Sequence, residues 1–151
     1  MRRKIERIIE HECKIKSFVK GTFDENRILA DLDKICSKTS SNQTLKGLLF
    51  GVKDIINVDG YPTRCGSLLP HELFKGLQAS CVSKLLNAGA IFAGKTVTAE
   101  FAVSDPGETR NPRNLSYTPG GSSSGSAASV AAGFCDIAIG TQTSGSVIRP
   151  A

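Results

Sequence analysis

The chain has few of the residues that metal sites and histidine-dependent hydrolases require. Its 151 residues include no tryptophan and only two histidines, His11 and His71. His11 lies close to Cys13, but two side chains do not make a metal site, and neither histidine has the setting of a Ser-His-Asp triad. The five cysteines form no CxxC pair, so they match neither a structural zinc site nor a thioredoxin motif. We therefore expect no metal ion and no cofactor.

Long apolar runs and blocks of like charge are also absent from the sequence. Glu6, Glu10 and Glu12 interrupt the N-terminal region, where a secretory signal would need an apolar stretch. No segment has the length and apolar character of a membrane span. The net charge is +5, but the basic residues are dispersed and aromatic residues make up only 6%, which argues against a nucleic-acid surface. The odd number of widely spaced cysteines is typical of reduced thiols. These features predict a cytoplasmic protein that contacts neither a membrane nor, directly, nucleic acid.

The residues that are present predict a globular α/β chain. Helical spacing of apolar residues over 4–18, and again after the candidate N-cap Asp24, predicts two amphipathic helices. A polar connector over 37–42 ends this region, so residues 1–46 are interpreted as an N-terminal helical arm. Beyond it, the sequence predicts buried strands at 48–52, 90–94 and 137–140, and helices at 79–88 and 126–133. This alternation indicates a layered α/β fold.

Lys53 is a candidate general base because it directly follows the apolar strand at 48–52. Burial disfavours the charged form of a lysine and lowers its pKa, which lets the amine accept a proton from a serine. Two structural interpretations remain open for it. The side chain could reach out to solvent, or it could form a salt bridge beside Asp54.

Two segments rich in glycine and serine supply the other candidate groups. The first is Thr-Pro-Gly-Gly-Ser-Ser-Ser-Gly-Ser at 118–126, whose glycines permit tight turns and whose hydroxyls could relay a proton. A helix cap, a phosphate loop and a flexible linker are the alternatives, although a phosphate loop would need a Walker lysine. The second is the segment 140–151, whose turn at 143–146 could point consecutive N–H groups at one oxyanion. An ordinary strand-to-helix turn is the alternative there.

Taken in order, Gly-Val-Lys-Asp at 51–54 and the segments 118–126 and 140–151 closely resemble the amidase signature family. The resemblance runs from about Gly47 to Ala151 and rests on three separate motifs. It implies a layered α/β/α fold with a mixed central sheet. In this interpretation residues 47–151 are the N-terminal part of the catalytic domain, incomplete at its C-terminus and preceded by the arm of residues 1–46.

The resemblance also assigns roles to individual residues. Ser146 matches the nucleophile, Lys53 the base, and Ser122 the bridging serine that the family holds in a cis peptide. The interval of 24 residues between the two serines matches the family's spacing. The oxyanion hole would be lined by four backbone amides, those of Thr143, Ser144, Gly145 and Ser146. The implied reaction is hydrolysis of a carboxamide C–N bond through an acyl-enzyme, with release of ammonia and without metal.

The surroundings of these motifs resemble the malonamidase-like and general amidase branch. Gln142 stands where many relatives carry Asp, and Thr-Arg-Asn-Pro at 109–112 also matches that branch. Arg149 resembles an arginine that contacts a substrate carboxylate, with a locally paired structural arginine as the alternative.

Two other functions remain open from the sequence. The chain could be the A-type component of a glutamine-dependent tRNA amidotransferase, which shares the three motifs. It could also be an inactive amidase fragment that acts only by association through unpaired strand edges. The expected partners are a small amide substrate and either a second copy of the chain or a C-terminal segment that follows Ala151.

Overall fold

The computed structural model describes residues 1–37, 43–103 and 105–151. Within them, four α-helices and three β-strands alternate along the chain, together with two short 3-10 helices. In chain order the elements are α1 (Arg2–Ile15), α2 (Glu25–Ser37), β1 (Leu49–Lys53), a 3-10 helix (His71–Phe74), α3 (Ser80–Asn87), β2 (Ile91–Thr96), a second 3-10 helix (Glu100–Ala102), α4 (Ser124–Ala131) and β3 (Ile137–Ile139).

The three strands form a parallel sheet in the order β2-β1-β3, with β1 at its centre. In this register Val52 lies opposite Lys95 on one side and Ile139 on the other. The pairing of β1 with β2 shifts between Phe50 and Gly51. A mixed sheet would also contain antiparallel pairing. Among the described residues, the antiparallel pairing next to these strands is a single bridge between Phe18 and Thr96.

Alternation along β1 divides the core into two layers, one on each face of the sheet. Leu49 packs in a cluster with α1 and α2, and Phe50 and Val52 pack in a second cluster with Val82 of α3. The predicted layered α/β/α architecture is therefore confirmed. Because side chains alternate along a strand, Lys53 lies on the same face as Leu49. That face is the one covered by α4, whose Ala128 belongs to the first cluster.

Most of the predicted elements are present, with boundaries that differ by a few residues. Asp24 caps α2, because its Oδ1 accepts a hydrogen bond from the N–H of Arg27 at 3.1 Å. Val82 of α3 is buried, whereas Leu86 of the same helix is 38% exposed. Of the predicted connector, residues 38–42 lie outside the described residues. The division into an arm of residues 1–46 and a catalytic part from residue 47 stays a prediction.

No helix in the described part of the chain combines the length and the apolar character that crossing a membrane would require.

Gly125 in the first turn of α4 allows the helix to approach the sheet closely. A Cβ at this position would lie 2.2 Å from the Ser17 carbonyl oxygen and 2.4 Å from the backbone nitrogen of Val97. Both neighbours are backbone atoms, so α4 itself would have to move. We expect Gly125→Ala to lower the free energy of unfolding by about 3 kcal/mol or more, measured by urea denaturation of the full-length gene product.

Gly21→Ala is the matched control for this substitution. Gly21 has a φ of +81° and no atom within 4 Å of the added Cβ, so alanine there meets only backbone strain. We expect it to cost about 1–2 kcal/mol. Equal losses in the two variants would mean that the close packing of α4 is not what Gly125 provides.

Candidate active site

Lys53 occupies the last position of β1 and is completely buried. Its Nζ lies 2.7 Å from Ser122 Oγ, 2.8 Å from Thr141 Oγ1 and 3.5 Å from the Thr141 carbonyl oxygen. All three neighbours are uncharged oxygen atoms. Burial without a compensating carboxylate lowers the pKa of Lys53 to about 8. With this pKa, a fraction of the Lys53 amine is unprotonated near neutral pH, as a general base requires.

Asp54, the next residue, does not pair with Lys53. Its carboxylate instead lies 2.7 Å from Nζ of Lys95, a second lysine that is also completely buried. Lys95 donates a further hydrogen bond to Thr63 Oγ1 at 3.0 Å. Burial raises the pKa of Asp54, whereas the Lys95 ammonium and the N–H of Arg64 act in the opposite direction. The salt bridge between Lys53 and Asp54 that the sequence left open is thus replaced by one between Lys95 and Asp54.

Ser122 is held in the loop that leads into α4, and it is 1% exposed. The peptide bond between Gly121 and Ser122 is cis. The Ser122 carbonyl accepts a hydrogen bond from the N–H of Ala99 at 2.9 Å. Gly120 has a φ of +88°, a conformation that favours glycine, and its carbonyl accepts a hydrogen bond from Ser124 Oγ at 2.6 Å. These contacts fix the Ser122 hydroxyl toward the end of β1.

The segment after β3 packs directly on this loop. The N–H of Ser123 donates to the Ser146 carbonyl at 3.0 Å, and Ser123 Oγ donates to the Thr141 carbonyl at 3.2 Å. A Cβ on Gly140 would lie 2.8 Å from Ser123 Oγ, so this approach needs glycine. The segments that contain Lys53, Ser122 and Ser146 therefore meet at the carboxyl end of the sheet.

Gln142 shapes the turn that precedes Ser146. Its Oε1 accepts hydrogen bonds from the N–H groups of Val147 and Ile148, each at 3.0 Å. Within residues 1–37, 43–103 and 105–151, no protein acceptor is found for the N–H groups of the four residues predicted to line an oxyanion hole, Thr143, Ser144, Gly145 and Ser146. The turn therefore presents backbone donors that are not used within the described structure.

The predicted site residues differ in how closely they are brought together. Lys53 and Ser122 are in hydrogen-bond contact. Ser146 is half-buried beside Ser123, but its hydroxyl makes no hydrogen bond to another described residue. Arg149 is exposed, its N–H donates to the Gly145 carbonyl at 2.9 Å, and its side chain lies against Gly120. It forms no ion pair with a carboxylate of the described residues.

Sequence reasoning missed two residues of this region, Thr141 and Lys95. Thr141 lies two residues after the end of β3, and its contact with Lys53 depends on the pairing of β3 with β1. Lys95 follows an apolar run just as Lys53 does, so the same sequence signal could have identified it. In the described part of the chain, no group of three or more His, Cys, Asp or Glu side chains is placed to hold a metal ion.

The chain belongs to the amidase family, because the family model described as Amidase matches residues 1–151. It is 48% identical over 113 residues to the A subunit of glutamyl-tRNA(Gln) amidotransferase from Salinibacter ruber, a match that covers 71% of this chain and 22% of that protein. It is 37% identical over 154 residues to the same subunit of a Synechococcus species, covering 97% of this chain and 32% of the relative.

Solved structures of the family have the same fold. The native peptide amidase from Stenotrophomonas maltophilia superposes with a TM-score of 0.85 at 32% identity, covering 99% of this chain and 33% of that one. The A subunit of glutamyl-tRNA(Gln) amidotransferase from Thermotoga maritima gives a TM-score of 0.79 at 30% identity, with 99% and 32% coverage. The chain thus spans about a third of the length of these proteins.

Proposed function

We propose that this chain carries the catalytic serines and lysine of an amidase, which hydrolyses a carboxamide C–N bond by a Ser-cisSer-Lys mechanism. The observation that carries this proposal is the contact of 2.7 Å between Lys53 Nζ and Ser122 Oγ, made inside the protein and without a neighbouring anion on Lys53. A buried lysine held against a buried serine is suited to proton transfer, because the neutral amine is accessible near pH 8.

In the first half-reaction, Ser146 Oγ attacks the carbonyl carbon of the amide and forms a tetrahedral intermediate. The Ser146 proton passes to Ser122 as the Ser122 proton passes to Lys53, so the lysine becomes an ammonium ion. The negative charge that develops on the carbonyl oxygen is bound by the N–H groups of the turn at 143–146. Collapse of the intermediate breaks the C–N bond, and the proton returns through Ser122 to the leaving nitrogen.

The second half-reaction repeats these transfers with water as the nucleophile. Water gives a proton through Ser122 to Lys53 as it attacks the acyl carbon, and when the tetrahedral intermediate collapses the ester bond to Ser146 Oγ breaks and the proton returns from Lys53 through Ser122 to Ser146 Oγ. The products are ammonia, the carboxylic acid and free Ser146. We propose a small carboxamide as substrate, and we assign Arg149 to a substrate carboxylate because its guanidinium is exposed beside Gly120.

Labelling with a fluorophosphonate tests this mechanism without knowledge of the natural substrate. The probe phosphonylates an activated serine, and the intact mass of the full-length gene product reports the adduct. We expect a single adduct in the wild type and none in Ser146→Ala. In Ser122→Ala we expect the labelling rate to fall by about 10²–10⁴-fold, since the relay to Lys53 is removed.

Ser129→Ala is the matched control, because it removes another buried hydroxyl, whose partners are the Ser126 carbonyl within α4 and the Cys135 thiol rather than Lys53 or Ser146. It should label like the wild type. An adduct that persists in Ser146→Ala would refute Ser146 as the nucleophile. Unchanged labelling of Ser122→Ala would remove Ser122 from the relay.

The A-type component of a glutamine-dependent amidotransferase is the second candidate function. The observation that favours it is the 48% identity to the amidotransferase protein of Salinibacter ruber. The two functions differ in what the full-length protein requires. Ammonia release from a simple carboxamide by the purified protein alone favours the amidase, whereas release from glutamine that depends on added partner proteins favours the amidotransferase.

A further inference from the structure

Two lysines are completely buried near the carboxyl ends of adjacent strands, and their surroundings differ sharply. Among the residues that the structure describes, the hydrogen-bond partners of Lys53 of β1 are hydroxyl and carbonyl oxygens of Ser122 and Thr141. Lys95 of β2 lies 2.7 Å from the Asp54 carboxylate and 3.0 Å from Thr63 Oγ1. Within the described ranges, one of the two lysines therefore has a carboxylate partner and the other has none.

Asp54 is the residue that separates these two environments. It follows Lys53 directly in the chain and is 1% exposed. Its Oδ2 accepts the N–H of Arg64 at 3.2 Å, and its own N–H donates to the Thr96 carbonyl at 3.0 Å. Asp54 begins the turn after β1, and its carboxylate meets Lys95, which lies opposite Val52 in the sheet register and so on the face opposite to Lys53. A buried carboxylate of this kind needs a counter-ion, and Lys95 is that counter-ion.

We propose that the buried Lys95–Asp54 ion pair is a positioning device for Lys53. It fixes the carboxylate on the opposite face of the sheet and balances its charge, so that Lys53 hydrogen-bonds only to uncharged groups. This inference rests on the proposed role of Lys53 as the general base. Neither Lys95 nor Asp54 contacts the reacting atoms in this scheme; both act through Lys53.

The other titratable groups around Lys53 are few. Neither α4 nor β3 contains a titratable residue. Arg64 and Cys65 lie in the loop that contacts Asp54, and Arg149 lies beside Gly120 on the exposed side.

On the face shared with α1, Glu12 hydrogen-bonds to Ser17 and Phe18, and the buried thiol of Cys135 has its pKa raised to about 12 by burial. A further carboxylate, Asp136, accepts the N–H of Leu49 at the opposite end of β1. Asp54 is therefore the acid nearest to Lys53 along the chain, and Lys95 is the cation that balances it.

Removing Lys95 and removing the Asp54 charge should shift the pKa of Lys53 in opposite directions. Without Lys95, the uncompensated Asp54 carboxylate would favour the ammonium form of Lys53. Without the Asp54 charge, the Lys95 ammonium would disfavour a second ammonium ion nearby. A merely structural pair would instead lower activity in both variants without moving their pH dependence in opposite senses.

The test is the pH dependence of fluorophosphonate labelling at Ser146 in the full-length gene product, followed by intact mass. We expect the acid limb of the rate profile to move upward by about one pH unit in Lys95→Met and downward by about one pH unit in Asp54→Asn. In the double variant Lys95→Met/Asp54→Asn the limb should return close to its wild-type position. Lys95→Arg keeps the positive charge and should move the limb less than Lys95→Met.

Displacement in the same direction in both single variants, or in neither, would overturn the inference. If Lys95→Met does not fold, the test rests on Asp54→Asn, which keeps the size of the side chain and the acceptor for Arg64. A downward shift of the acid limb in this variant would support the inference, and an unmoved limb would overturn it. Lys53→Met separates this inference from the proposed function. Normal labelling of Lys53→Met would refute Lys53 as the base, whereas lost labelling together with unmoved limbs would refute only the role of the ion pair.

Discussion

Replacing Ser146 by alanine should reduce amide hydrolysis by about 10⁵–10⁶-fold, to the level that binding and oxyanion contacts alone provide. The substitution removes the atom that we propose attacks the carbonyl carbon, and it leaves the backbone N–H groups of the turn in place. Ammonia release from a small carboxamide by the full-length gene product measures the effect. Ser116→Ala, a hydroxyl deletion at an exposed position, should keep wild-type activity.

Folding must be compared in the same samples, because the Ser146 carbonyl accepts a hydrogen bond from Ser123. Alanine retains that carbonyl, so the urea midpoint should change little. Substantial hydrolysis by a folded Ser146→Ala protein would show that the nucleophile lies elsewhere.

Lys53→Met should lower hydrolysis at pH 8 by about 10²–10⁴-fold, the usual contribution of a general base. Methionine fills a similar volume and cannot accept a proton. The wild-type rate should also rise with pH between roughly 7 and 9, because the amine must be neutral to act and burial lowers the pKa of Lys53 to about 8. At pH 7 only about a tenth of the enzyme would hold the neutral amine. Lys53→Met should lack this rise.

Lys46→Met provides the comparison for loss of a lysine at an exposed position, and its profile should follow the wild type. A pH profile of Lys53→Met that keeps the wild-type acid limb would assign that limb to another group. A wild-type profile that is flat from about pH 6 to 9 would contradict a lysine base.

The meeting of the three motifs could be predicted from the sequence because each follows, or closely follows, a segment with a strong signal. The apolar run before Lys53 and the apolar segment before Thr141 both predict buried strands, and parallel neighbours end at the same edge of a sheet. Small residues at Gly120, Gly121 and Gly140 indicate close backbone approaches at that edge. These signals are local, so one sequence is enough to find them.

Which of the two buried lysines pairs with Asp54 could not be predicted from such local signals. Lys53 and Lys95 both follow apolar runs, and nothing local decides which of them receives the Asp54 carboxylate. That choice depends on the register of β1 against β2, in which Val52 lies opposite Lys95. The register in turn includes a shift between Phe50 and Gly51, which the sequence pattern does not reveal.

The backbone conformation of one loop and of the second 3-10 helix could not be predicted from the sequence either. Cys65, Phe101 and Ala102 have φ values of 56°, 47° and 59°, which are uncommon for residues other than glycine. A hydrogen bond of 2.8 Å from the Phe101 N–H to the Cys65 carbonyl joins the 3-10 helix to the loop. Such conformations are imposed by tertiary contacts and leave no composition signal of the kind that glycine provides.

Chain order within the sheet delays the burial of Lys53 during synthesis. Its strand is central, yet the hydroxyls that surround its amine come from Ser122 and Thr141, 69 and 88 residues further along the chain. Contacts so distant in sequence form late, because a long loop must close before they are made. Until Thr141 has left the ribosome, the set of hydrogen bonds around the Lys53 amine is incomplete. Ser146, which we propose as the nucleophile, follows Thr141 by only five residues, so the surroundings of Lys53 and the proposed nucleophile are completed at nearly the same point of synthesis.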